Sequence, residues 1–192
     1  MSKKALKSVR AALTRECTSY ERLPALVKIY DEGWGLSDAE YLTLLGEEWT
    51  GFDNVSAYDT ALSEILGDTG SLPQMMTAEE QAALAALPET VTLYRSAEKG
   101  VNERGWCWSL DRAEAVRFAT HYGRYRKLNP VLVTATAKRD DIVAVKLDRD
   151  ETEVIVRTVT VLEVRDLPAP PAPSVTPNTT TAARRAGTRR KT

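Results

Sequence analysis

The chain has 192 residues, 43% of them hydrophobic, and a formal net charge of −1, which suits one domain with a core and appendages. No run approaches the 18 apolar residues of a membrane-spanning helix, and the basic start Met1–Lys7 lacks the apolar stretch of a secretory signal, so the cytoplasm is the expected compartment, with no membrane contact. Two cysteines, Cys17 and Cys107, and one histidine, His121, are too few for a disulfide framework or a zinc-ligand cluster, and no metal is expected.

Charge is unevenly placed. From Pro168 onward there are five basic residues (Arg184, Arg185, Arg189, Arg190, Lys191) and no acidic one, so the remainder carries −6. An acidic body with a basic tail describes partners rather than fold.

Residues 4–16 place Leu6, Val9 and Leu13 three and four apart, the spacing of an amphipathic helix. A second helix is predicted from Pro24 to Asp31 with Leu23, Leu26, Val27 and Tyr30 inward, Pro24 in its first turn and Gly33 and Gly35 breaking it. Ser37-Asp38-Ala39-Glu40 reads as a capping box opening a helix with Tyr41, Leu42, Leu44 and Leu45. A fourth helix is predicted near Ser56–Leu66, followed by a loop from Gly67 to Leu72. Thr77-Ala78-Glu79-Glu80 is a second capping box, and its helix ends before Pro88.

The apolar period then changes from helical to alternating. Strands are predicted at Val91–Arg95 and Trp106–Leu110. Asp111 caps a helix with Ala115, Phe118 and Ala119 inward, and His121 to Asn129 is a polar, basic loop holding Tyr122 and Tyr125. Further strands fall at Val131–Thr136, Ile142–Lys146, Thr152–Arg157 and Thr158–Val164. The Pro/Thr/Ala/Arg stretch after Leu167 cannot bury a core and is expected to be disordered. The fold class is α+β, with a helical part at 1–86, a mostly antiparallel β core at 87–166 and a basic tail at 167–192.

On the strand Glu151-Thr152-Glu153-Val154-Ile155-Val156, alternation puts Val154 and Val156 on a core face and Glu151 and Glu153 about 7 Å apart on the other, expected to be exposed. An isolated Glu-x-Glu is ordinarily a solvent-facing strand edge. Here three elements precede or contain it in order: Tyr94-Arg95 on the first strand, Cys107-Trp108-Ser109 ahead of a helix with Ala115 and Phe118-Ala119, and then Glu151-Thr152-Glu153.

That ordered set resembles the arginine–serine–glutamate clade of mono-ADP-ribosyltransferases known from bacterial toxins and bacteriophages, over Leu87 to about Val164. The resemblance implies a split β-sheet core and cleavage of the nicotinamide–ribose bond of NAD. ADP-ribose then passes to a target protein, and the Glu at position 151 implies arginine as acceptor. It implies that Glu153 stabilises the developing ribose cation, that Arg95 holds the pyrophosphate and that Glu151 takes the guanidinium proton. Tyr122 and Tyr125, in the loop that in the family touches phosphate and nicotinamide, would stack on nicotinamide with help from Arg124 or Arg126. The family's first serine falls on Cys107, a weaker donor, so either Cys107 or Ser109 would support the glutamate. Ser96 replaces a glycine common after the family's arginine.

NAD is thus expected as substrate, in the cytoplasm or, for a bacteriophage protein, the host cytoplasm. The alternatives are an NAD glycohydrolase and a non-catalytic binding module that keeps the fold. The tail is expected to give weak, salt-sensitive contact with nucleic acid.

Overall fold

The computed structural model describes residues 3–67, 70, 72–120, 127–148 and 151–168. The expected basic tail, beyond its first two residues, lies outside them. Five helices come first: α1 (Lys3–Glu16), α2 (Arg22–Glu32), α3 (Asp38–Glu48), α4 (Asp59–Ile65) and α5 (Ala78–Ala86). Both capping boxes form. Ser37 accepts from the Glu40 amide while the Glu40 carboxylate accepts from that of Ser37, and Thr77 and Glu80 do the same. Each box satisfies amides that the first helical turn cannot pair. Gly33 ends α2 in the left-handed conformation (φ 59°), which no Cβ opposes.

The apolar stripes of α1, α2 and α3 meet in one core through Val9, Leu13, Leu23, Leu26, Leu44 and Leu45. One expectation is corrected here. Ile29, not Tyr30, faces inward on α2 (6% against 43% exposed); the Tyr30 ring instead rests on that of Tyr41, centroids 5.2 Å apart. No helix among the described residues is long and apolar enough to cross a membrane.

The second half holds β1 (Thr90–Glu98), β2 (Cys107–Ser109), α6 (Arg112–Thr120), β3 (Pro130–Lys138), β4 (Ile142–Asp148), β5 (Glu151–Val156) and β6 (Thr160–Asp166). The strands form one open sheet in the order β4-β5-β2-β1-β3-β6, every pairing antiparallel. Thus α+β holds, but the two groups expected as a split sheet are hydrogen-bonded into one. Their junction is thin, since β1 meets β2 only at Tyr94↔Ser109. Beyond that pair the two strands diverge.

Val154 and Val156 face a core with Trp108, Val91, Leu93 and Val145, as their alternation requires. Where it is described, the opposite face of β5 is not exposed, contrary to the expectation for Glu153. Ile155, on the phase of Glu153, is fully buried against the helical core, and Glu153 itself is partly buried. The reason is that the helical half covers this side of β4 and β5. Three polar clamps fix it there: Trp106 Nε1 donates to Asp59 Oδ1 at 3.1 Å, Arg157 donates twice to the Leu66 carbonyl at 3.0 and 2.7 Å, and Lys146 Nζ donates to the Met75 carbonyl at 3.1 Å.

Candidate active site

A cleft of about 500 Å³ opens where the helical half, the β1–β2 junction and α6 meet. The segment after α3 supplies one wall through Trp49, Phe52 and Asp53; the sheet supplies Tyr94 and Glu153, and α6 supplies Phe118. Such a volume is ordinary for a small-molecule site. Among the described residues no group of three or more His, Cys, Asp or Glu is placed to hold a metal ion.

Glu153 enters this cleft because β5 pairs with β2 in the register Ser109↔Glu153 and Cys107↔Ile155. Directly opposed residues project to the same face, so Cys107, Ser109 and Glu153 share the covered side. The Cys107 thiol lies beside the Glu153 carboxylate and the Trp49 indole, near enough for both to act on its titration. Trp49 Nε1 also donates to Glu153 Oε1 at 3.2 Å. Burial first, then the Glu153 charge and its hydrogen bond, push the Cys107 thiol well above its usual 9.0, against the opposing pull of Arg95. At neutral pH Cys107 is therefore a protonated donor and not a thiolate nucleophile.

Of the two candidates for supporting the glutamate, the Cys107 thiol is the one whose titration the Glu153 charge shifts, and Ser109 is the one directly opposite Glu153 in the ladder. The Ser109 hydroxyl accepts from the Asp111 amide at 3.0 Å and so shapes the entry to α6. Asp111 caps that helix as expected, its Oδ1 accepting from the Ala113 and Glu114 amides. Ala115 and Ala119 are buried, whereas Phe118, expected in the core, is only partly so because it forms cleft wall.

Arg95 reaches the cleft by an unforeseen route. It stands on the strand phase of the buried residues Val91, Leu93 and Ala97, opposite to Tyr94. Its Nε donates to the Asn102 carbonyl at 3.2 Å and its Nη1 to that of Cys107. Those carbonyls lie where β1 and β2 part, so Arg95 satisfies backbone acceptors that the ladder leaves open. Its guanidinium is fixed in that gap.

Lys127, like Arg117 and Lys146, also lines the cleft. Burial, then the neighbouring Arg95 charge, hold the Lys127 ammonium below its usual 10.5, with Glu98 opposing them. Glu98 also anchors the segment that carries Lys127, accepting from the Leu128 and Asn129 amides at 2.8 Å each.

Of the predicted site residues, Arg95, Cys107, Ser109 and Glu153 line this one cleft, together with Ser96. The Glu151 backbone opens β5 opposite Asp148, and its side chain lies outside the described set. Tyr122, with His121, Arg124, Tyr125 and Arg126, falls outside the described residues altogether. Sequence reasoning missed Trp49, Asp53, Lys127 and Phe118 as cleft residues. The only available signal was the aromatic pair Trp49 and Phe52 just past a helix end. The chain matches no protein-family model, no curated protein and no solved structure.

Proposed function

We propose that this chain is an NAD-dependent mono-ADP-ribosyltransferase that modifies a protein arginine, built on the ADP-ribosyltransferase fold that the ordered motifs resemble. The observation that carries the reading is convergence: Arg95, Cys107, Ser109 and Glu153, scattered in sequence, line one cleft.

The residues suit the substrate. Arg95 and Lys127 offer two cations to a diphosphate, with Arg95 held by its backbone bonds and presenting a planar fork of donors. The rings of Tyr94 and Phe118 on the walls give flat apolar surface to a base or nicotinamide. Cleavage of the nicotinamide–ribose bond develops oxocarbenium-like charge, and a fixed carboxylate beside the sugar lowers its energy. Glu153 supplies that carboxylate. Nicotinamide leaves, the acceptor guanidinium nitrogen bonds to the ribose carbon, and the proton it loses passes to a base, for which Glu151 is the candidate. The products are ADP-ribosylated arginine, nicotinamide and a proton. If water takes the place of arginine, the same machinery is an NAD glycohydrolase.

One observation favours a second reading. Arg95 already bonds two backbone carbonyls, as an arginine with a structural task would in a binding module that keeps the fold without the chemistry. Incubation with NAD labelled in the adenylate portion and a cell lysate separates the three. Labelled protein bands establish transfer, free labelled ADP-ribose without bands establishes hydrolysis, and intact NAD overturns both.

A further inference from the structure

We propose that Trp49, contributed by the helical half, is the positioning residue that holds Glu153 for NAD cleavage, in place of a hydroxyl on the neighbouring strand. This rests on the reading of Glu153 as the carboxylate that meets the ribose.

The indole is placed to do this. Trp49 opens a 3-10 turn directly after α3, is 2% exposed, and stacks edge-on against Phe52 with centroids 5.9 Å apart. Two rings locked this way leave Nε1 one direction, and it points at Glu153 Oε1. The indole N–H is a donor only, so it can bond the carboxylate and the thiol sulfur but can never compete as an acceptor.

β2 offers no good alternative. Cys107 offers only a weak S–H donor beside the same carboxylate, and the Ser109 hydroxyl is engaged by the Asp111 amide. A carboxylate that must meet a developing cation needs its rotamer fixed beforehand, since reorganisation during the reaction forfeits rate. A strong donor comes from across the cleft, the Trp49 indole. It follows that the helical half is part of the catalytic machinery, and the docking of α3 on the sheet sets the geometry of Glu153.

The test has one arm on the contact and one on the chemistry. In the first, the 15N-attached indole proton of Trp49 is followed by NMR in the full chain and in Glu153→Gln. A charge-assisted bond to a carboxylate is stronger and shorter than one to an amide, so the Trp49 signal moves upfield in the variant while that of Trp106, bonded to Asp59, stays. An unmoved Trp49 signal overturns the proposal whatever the protein catalyses.

In the second arm, NAD cleavage is measured for Trp49→Phe and for replacement of Trp49 by its benzothiophene isostere, which keeps ring volume and removes the N–H. The expected loss in kcat is about 10–100-fold, the worth of one hydrogen bond to a charged group, with KM for NAD unchanged. Adding Cys107→Ser restores most of that loss, because a hydroxyl donates where the thiol does. Unchanged kcat in the isostere, or a loss confined to KM, overturns the positioning role. If the native chain leaves NAD intact while the indole signal responds to Glu153→Gln, the contact stands and the assigned activity falls.

Discussion

Lys146 Nζ lies 2.9 Å from Glu80 Oε2, both side chains less than a tenth exposed, and the pair ties β4 to α5 at the cleft, which Lys146 also lines. Glu80 serves three partners at once. Besides Lys146 it accepts from the Leu147 amide at 3.1 Å and from Thr77 in the capping box. The lysine in turn reaches the Met75 carbonyl. Truncating one partner of a buried pair leaves the other charge without compensation. The prediction is that Lys146→Met lowers unfolding free energy by about 3–5 kcal/mol, read from urea midpoints. A loss under about 1 kcal/mol, the worth of an exposed ion pair, would show that water reaches the site.

The same pair fixes an acid limit. Burial raises the Glu80 pKa, but the bonds from Lys146, Thr77 and Leu147 outweigh it, and the carboxyl titrates below its usual 4.5. A carboxyl whose folded pKa is depressed contributes stability that is complete above its unfolded pKa. That contribution is lost as pH falls through the lower folded value. Tm should therefore hold down to about pH 5 and drop as pH falls below the unfolded value near 4.5. In Glu80→Gln the drop should shrink. Identical acid profiles for the two proteins would place the sensitive carboxyl elsewhere.

A Cβ on Gly46 would lie 2.1 Å from the Met75 carbonyl oxygen and 2.6 Å from its carbonyl carbon and Cα. Backbone cannot rotate aside as a flexible side chain can. Gly46→Ala should therefore push α3 from the turn at Leu72–Met75 and cost about 1–3 kcal/mol by overpacking. Any ordinary helix would gain stability from the same change, so the sign of the effect, measured by thermal melting, decides whether this approach is as close in solution.

The Cys107 thiol reports on its carboxylate neighbour independently of any activity. Burial and the charge of Glu153 both raise its pKa. Replacing Glu153 by Gln removes the second cause and leaves the first. Thiolate absorbance near 240 nm should appear at lower pH in Glu153→Gln than in the native chain, and alkylation of Cys107 at a fixed pH should quicken. Coincident titration curves would mean the two side chains do not meet.

What could be read from sequence was whatever is local. The boxes at Ser37–Glu40 and Thr77–Glu80 declare helix starts because donor and acceptor sit three residues apart. The alternation at Val154 and Val156 assigns a face because the strand period is two. The covered face of Glu153 could not be read, since what covers it comes from the other half of the chain. Trp49 is 104 residues from the carboxylate it bonds, and no spacing rule spans that distance. Arg95 is a similar case: its carbonyl partners exist only because β1 and β2 separate after one pair. Ile29 and Tyr30 were interchangeable on a helical stripe until α3 supplied Tyr41 as a neighbour.

The two glutamates of β5 should divide the proposed reaction. In that reaction Glu153, in the cleft and bonded by Trp49, is assigned to the ribose, so transfer and hydrolysis should both need it. Glu153→Gln removes charge with little change in volume, and the loss of one preorganised electrostatic contact is about 10²–10³ in rate. Glu151 begins the strand two residues earlier, opposite Asp148 at the end of the β4–β5 ladder and on the strand phase of Glu153. In the proposed reaction it is assigned to the acceptor. An arginine guanidinium, with a pKa above about 12, is a poor nucleophile until a base takes its proton, whereas water needs less help once the ribose cation has formed. Glu151→Gln should therefore lose most modification of arginine-containing acceptors while keeping appreciable NAD hydrolysis. Both activities are followed on one preparation, as free ADP-ribose and as labelled acceptor. Equal loss of the two would assign Glu151 to NAD binding or to the ladder end, and the arginine assignment would lose its support. No loss in either would leave Glu151 a surface charge at a strand start.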